Sequence, residues 1–253
     1  MTYYEILFSP TGGTKKVADI LMHTLCEESV QVDLMDKGAD FSARTFQPED
    51  ICLVAVPSFG GRVPPVAMER LGQMKGNGAR AVLVTVYGNR AYEDTLLELE
   101  DGLKAAGFRP IAAVAAIAEH SIDRRFAQGR PDGDDKKELE AYGETIRQRI
   151  QAGTVPQDLS LPGNRPYKKL GVLPSKPVAT EDCGKCGLCA KVCPVGAIDE
   201  EDPSKTDPEV CISCMACVAA CSTQSRQVPA PILAKLSAML EQVCQGRKAN
   251  EIF

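Results

Sequence analysis

Residues 4–25 read YEILFSPTGGTKKVADILMHTL. YEILF, residues 4–8, is a strand-like run, and the stretch after the glycines places Val17, Ile20, Leu21 and Leu25 on one helical face. A strand, a glycine turn and a helix make half of a βαβ unit, and the pattern repeats downstream. VQVDLM (30–35) alternates apolar and polar residues, as an edge-side strand does. ICLVAV (51–56) and AVLVTV (81–86) are continuous apolar runs, expected of central parallel strands covered on both faces. PPVAMERLGQM and AYEDTLLELEDGLKAAG read as the helices that follow them. RPIAAVAAIA (109–118) reads as a fifth strand and KKELEAYGETIRQRI (136–150) as a last helix. Strands alternating with helices predict an α/β, doubly wound, five-stranded parallel sheet over residues 1–151.

Residues 152–177 change character, with Pro156, Pro162, Pro166, Pro174 and Pro177 among Gly153, Gly163 and Gly171. That composition predicts a linker lying extended over the surface, and Tyr167-Lys168-Lys169 are candidates for pinning it to a domain. Residues 178–228 hold most of the cysteines. In residues 229–253, PILAKLSAMLEQV (231–243) reads as an amphipathic helix able to pack on either domain.

The 253 residues are 44% hydrophobic and 25% charged, the balance of an ordinary soluble protein. A net charge of −5 argues against nucleic acid as a main ligand and favours basic docking partners. The longest apolar stretch, Ile111–Ala118, falls far short of the roughly 20 residues that span a bilayer. With no secretory signal pattern at MTYYEILFSP, the expectation is a cytoplasmic protein without membrane insertion.

Of 11 cysteines, eight fall between Cys183 and Cys221. Packed cysteines in a cytosolic chain read as metal ligands rather than disulfides. Cys183, Cys186, Cys189 and Cys193 form C-x2-C-x2-C-x3-C, and Cys211, Cys214, Cys217 and Cys221 repeat it. Three thiolates at steps of three converge on three irons of one cube, and the fourth points toward the other cube. By that rule one 4Fe-4S cluster is held by Cys183, Cys186, Cys189 and Cys221. The other is held by Cys211, Cys214, Cys217 and Cys193. Zinc sites use two separated C-x2-C pairs instead. CGKCGLCAKVCPVGAI and CISCMACVAACS resemble the bacterial two-cluster ferredoxins, a small α+β domain, with Ser222 where proline is usual. Cys26, Cys52 and Cys244 read as small core residues.

The loop Ser9-Pro10-Thr11-Gly12-Gly13-Thr14 offers hydroxyls, a close backbone and a helix N-terminus, for which phosphate is the natural guest. It is neither a Walker loop nor a dinucleotide fingerprint. Ser9, Thr11, Gly12 and Thr14 match the phosphate loop of flavodoxins, which this chain resembles over roughly residues 1–151. The resemblance implies FMN, with the ring held by two further loops. One is Pro57-Ser58-Phe59-Gly60-Gly61-Arg62. The other is Tyr87-Gly88-Asn89-Arg90-Ala91-Tyr92-Glu93, whose Tyr92 would stack on the flavin. All three loops follow strands at their carboxyl ends, where open α/β sheets bind ligands.

His120 reads as a loop histidine bonded locally, with a place near the flavin as the sharper alternative. Asp132 or Asp134 reads as a helix cap, and Arg62 and Arg90 as basic groups available to a reduced flavin. Together the modules resemble the flavodoxin–ferredoxin fusion proteins of anaerobic bacteria, the EFR-type ferrodoxins. That resemblance implies an electron carrier with redox protein partners. The alternative is a flavin-dependent reductase of a small molecule, fed by the clusters, which would show an open cavity above the ring.

Overall fold

The computed structural model describes residues 1–171 and 173–253. Five parallel strands form its centre: β1 (Tyr3–Leu7), β2 (Val30–Asp33), β3 (Ile51–Pro57), β4 (Arg80–Tyr87) and β5 (Arg109–Ile117). The helices between and after them are α1 (Gly13–Leu25), α2 (Pro65–Gln73), α3 (Thr95–Ala105) and α4 (Gly133–Ala152). The sheet order β2-β1-β3-β4-β5 is the flavodoxin-like doubly wound order, with its switch point between β1 and β3.

Successive residues of a strand point to opposite faces, so the central runs feed two cores. Val54, Val56 and Leu83 pack with Leu71, Leu96, Leu99 and Leu103 on the side of α2 and α3. Leu53, Val82 and Val84 pack with Val17, Leu21, Leu25, Leu139 and Ile146 on the side of α1 and α4. Each fully buried aliphatic side chain is worth about 1.5–3 kcal/mol, which is why uninterrupted apolar strands belong at the centre. Asp132 caps α4 by accepting from the N–H groups of Asp134 (3.0 Å) and Asp135 (3.1 Å), while the Asp135 carboxylate accepts from the Asp132 N–H (2.9 Å). Gly153, left-handed at φ 66°, ends it.

The chain then runs as a strap along α3. Asp94 accepts from the N–H groups of Asn164 (2.8 Å) and Lys168 (2.6 Å), Arg165 pairs with Asp101 (2.6 Å), and the Tyr167 hydroxyl donates to Asp101. The cysteine-rich unit follows, with an antiparallel pair β6 (Val178–Ala179) and β7 (Arg226–Gln227) and two short helices, α5 (Leu188–Lys191) and α6 (Ala216–Ala220). Arg70 of α2 reaches it, donating to the carbonyls of Leu34 (2.5 Å) and Pro194 (2.7 Å).

Helix α7 (Ala230–Val243) returns to the first unit, where Ser237 donates to Asp123 (2.6 Å). The tail ends in β8 (Glu251–Ile252), which pairs antiparallel with β5 and adds a sixth strand that the sequence reading did not anticipate. Two residues carry no periodicity, so nothing in the sequence announces it. Among the described residues no helix is long and apolar enough to cross a membrane.

The packing of α1 on α4 depends on Gly143: a Cβ there would lie 1.7 Å from Thr24 Oγ1 and 2.8 Å from Thr24 Cβ. Rotating the threonine relieves the first contact and not the second. Gly143→Leu should therefore lower stability by about 1–3 kcal/mol, although helix propensity alone favours leucine over glycine by about 1 kcal/mol. Thermal unfolding followed by circular dichroism reads the result, and an unchanged or raised midpoint would contradict this packing.

Candidate functional site

The loop after β1 is shaped for an anion. Gly12 adopts φ 85° and starts α1, which has no side-chain N-cap and no acidic residue in its first turn. Ser9 Oγ accepts from the Lys15 N–H (2.9 Å), bracing the turn. A Cβ on Gly13 would sit 3.1 Å from Ala118 Cβ, so the loop lies tight on the end of β5. Thr14 is buried in the first helical turn. The positive end of α1 is thus left to a guest.

Thr11, Gly13 and Thr14 line a cleft together with Pro57, Ser58 and Phe59 after β3 and Tyr87 and Gly88 after β4. Phe59 stands edge-on to Phe8 with centroids 6.4 Å apart. Ser58 Oγ lies 2.7 Å from Thr95 Oγ1. Burial pushes the Tyr87 phenol up to about 12, with Glu251 adding to the effect, so it stays protonated. The cleft has a further wall: Glu119 and Ser121 after β5 and Cys214 from the cysteine-rich unit, which the sequence reading did not supply, and His120, for which it weighed a place near the flavin.

Several expected flavin contacts lie elsewhere. Gly60 and Gly61, at φ 59° and 87°, turn the chain between Phe59 and Arg62, and Gly61 packs against Glu93. Tyr92, expected to stack on the ring, faces Tyr87 at 5.2 Å and donates its hydroxyl to Glu251 (2.6 Å). Asn89 donates to the carbonyls of Cys244 (2.8 Å) and Gly246 (2.9 Å). Arg90 is spent on Glu93, with both bonds 3.0 Å, and Arg62 on Glu98. The C-terminal tail is the physical reason: it takes up the loop after β4 that the sequence reading assigned to the cofactor. Ser9 and Gly12 shape their loop without lining the cleft.

His120 does reach the cleft. Its ring lies over Gly88, where an added Cβ would come 2.4 Å from His120 Cδ2. Nδ1 accepts from the N–H groups of Ile122 (3.3 Å) and Asp123 (3.1 Å), which leaves the proton of the neutral ring on Nε2. Burial pulls its pKa down to about 4, with Asp123 opposing and Arg90 assisting.

In the cysteine-rich unit, Cys193, Cys211, Cys214 and Cys217 all line one small cavity. This is the crossed set that the spacing predicts. Ser213 and Met215, at φ 56° and 65°, fold the loop around it, and the Ala197 N–H donates to Cys193 Sγ (3.3 Å). Burial pushes the free Cys214 thiol up to about 12 and that of Cys217 up to about 11, so the thiolates need a cation to compensate them. An all-sulfur set suits iron–sulfur chemistry. Among the described residues no three His, Cys, Asp or Glu side chains stand close enough to hold one metal ion. A four-iron cube, with thiolates at its corners, asks for wider spacing. The second set is more open: Cys189 is buried, Cys183 and Cys221 are half-buried and Cys186 is exposed.

A larger cavity of about 560 Å³ lies between the two units. Thr11, Gly13, Glu119, His120 and Ser121 line both it and the cleft, and Met215, Val218 and Ala219 around α6 form its other side.

Residues 177–222 match the family model described as 4Fe-4S dicluster domain. Over 47 residues the chain is 51% identical to "Ferredoxin 7Fe" of Hydrogenibacillus schlegelii, a match covering 17% of this chain and 60% of that protein's length. The solved structures similar to the first unit include a flavodoxin from the domain Archaea, 13% identical with TM-score 0.42, covering 60% of this chain and 99% of that one. They also include oxidised Flavodoxin 2 from Bacillus cereus, 13% identical with TM-score 0.44, covering 59% and 99%. The C-terminal segment is a 4Fe-4S dicluster domain of ferredoxin type, joined to a flavodoxin-like α/β unit.

His120, held neutral in the fold, binds a proton more readily once unfolded. Its contribution to stability is therefore present above its ordinary value of 6.5 and is lost as pH falls from there toward about 4. Denaturant unfolding at pH 7 and pH 5 should show His120→Gln losing less stability between the two than the parent chain. An equal loss in both would mean that His120 takes up its proton as readily in the fold as in the unfolded chain.

Proposed function

We propose that this chain is an electron relay in which two 4Fe-4S clusters in the C-terminal unit exchange single electrons with an FMN in the cleft of the first unit. The observation that carries the proposal is Cys214, a cluster ligand by spacing, which stands in the wall of the cleft built by the three flavodoxin-type loops. Clusters take one electron at a time and flavin takes one or two, so their junction collects or splits electron pairs. Thr11, Gly13, Thr14 and the start of α1 would hold the phosphate. Phe59, Tyr87 and Gly88 would border the ring, and the neutral His120 would offer an Nε2–H donor beside it. Donor and acceptor are proposed to be redox proteins, in the cytoplasm and under low oxygen, as in the flavodoxin–ferredoxin fusions this chain resembles.

A second reading has its own support. The cavity of about 560 Å³ is continuous in its lining with the cleft and offers room for a small acceptor. Under that reading the clusters feed a flavin-dependent reductase. Anaerobic turnover that saturates with a small-molecule acceptor would favour the reductase; reduction of protein acceptors alone would favour the relay.

Anaerobically purified protein should contain about eight irons and one FMN per chain. Changing Thr11 and Thr14 together to valine should abolish flavin retention while leaving iron unchanged, because the two sites lie in different units. Flavin retained in full by that variant would refute the site assignment. After partial reduction with dithionite, electrons should redistribute between clusters and flavin at a rate independent of protein concentration. A rate proportional to concentration would refute the relay within one chain.

A further inference from the structure

Arg226 is 1% exposed and is the bulkiest of the fully buried side chains among the described residues. Its Nη1 donates to the Thr206 hydroxyl and the Pro177 carbonyl, and Nη2 donates to the Pro203 carbonyl. Nε has no partner. Among the described residues no carboxylate lies within ion-pair distance of the guanidinium, although the surface cations nearby are paired, Lys185 and Lys205 both with Asp202. A whole positive charge is therefore buried on neutral oxygens alone. That arrangement is costly unless something anionic belongs beside it.

The surroundings supply that partner. Pro177 and Thr206, which hold the guanidinium, line the same cavity as Cys193, Cys211, Cys214 and Cys217. Pro203, which accepts from Nη2, lies with its carbonyl oxygen 3.8 Å from Cys189 Sγ, a ligand of the other set. The side chain thus stands between the two cysteine sets. Each iron–sulfur cube with its four thiolates is a net anion, and one-electron reduction adds one more negative charge without requiring a proton. Net charge and hydrogen bonding are among the levers that set cluster potentials.

We propose that Arg226 is the buried counter-charge of the two clusters, stabilising them as a pair and making them easier to reduce. The fixed cation lowers the energy of the anionic cubes and favours the reduced form more than the oxidised one. Asp and Glu are kept away, since an ion pair would cancel the field. The inference rests on the cluster assignment and does not depend on the flavin relay.

The test uses the full-length protein, purified without oxygen, with Arg226→Met and Arg226→Lys. Iron content is measured first. Midpoint potentials then follow from dithionite titration with mediators, read by electron paramagnetic resonance. R226M should retain its iron and show a lower midpoint than the parent, and R226K should recover most of the shift. Full iron with an unshifted midpoint in R226M would overturn the proposal, as would an R226K shift equal to that of R226M. If R226M fails to assemble, R226K decides: full iron and a parental midpoint support the charge, whereas loss of iron there too assigns Arg226 to packing and overturns it.

Discussion

Arg70 donates from one guanidinium to two parts of the chain, Leu34 just beyond β2 and Pro194 just beyond Cys193. The side chain is buried, lies over the Phe41 ring at 5.6 Å, and burial lowers its pKa from the ordinary arginine value. Charge-assisted bonds in a dry place are among the stronger polar contacts, and losing either carbonyl would leave a buried charge under-satisfied. This contact sets the cysteine-rich unit against the carboxyl ends of the strands. The strap on α3 and the return of α7 close the same docking from two other sides. Cys214 can line the cleft only because the three constraints agree.

Apart from Glu119, whose carboxylate is paired with Arg124, the cleft itself is built from neutral groups. Hydroxyls, backbone N–H groups and the start of α1 face it, Tyr87 keeps its proton, and His120 is uncharged through the neutral range. Dipoles fixed in place can stabilise an added electron without rearranging, which is what a site of changing charge requires. The cationic contribution sits on the cluster side, at Arg226. The two units therefore divide the electrostatic work between them.

Much of this was legible in the sequence, for identifiable reasons. ICLVAV and AVLVTV could only be central strands, and the helices between them fix the order of a doubly wound sheet. The C-x2-C-x2-C-x3-C repeats state a chemical constraint directly, and the crossed grouping of Cys193 with Cys211, Cys214 and Cys217 follows from it. The placement of Tyr92 was not legible, because its partner Glu251 is 159 residues away and belongs to a strand of two residues. His120 was read as locally bonded, and it is, through the N–H groups of Ile122 and Asp123. That local bonding is also what fixes the ring at the cleft, so the two readings weighed for it were not alternatives. Arg226 gave no signal, since burial of a lone arginine leaves no trace in spacing.

The displacement of Tyr92 has a structural consequence for the proposed relay. An aromatic ring stacked on the outer face of a flavin would stand between it and anything docking there. Here β8 joins the edge of the sheet and Glu251 draws Tyr92 away, while Asn89 is bound to the turn after α7. The loop after β4 is thereby tied to the C-terminal tail, while Cys214 stands in the wall of the cleft. The tail that removes the expected stacking residue and the docking that brings in the cluster ligand are parts of one arrangement. In the proposed relay the clusters of the same chain would approach that face, where a covering ring would stand between them and the flavin.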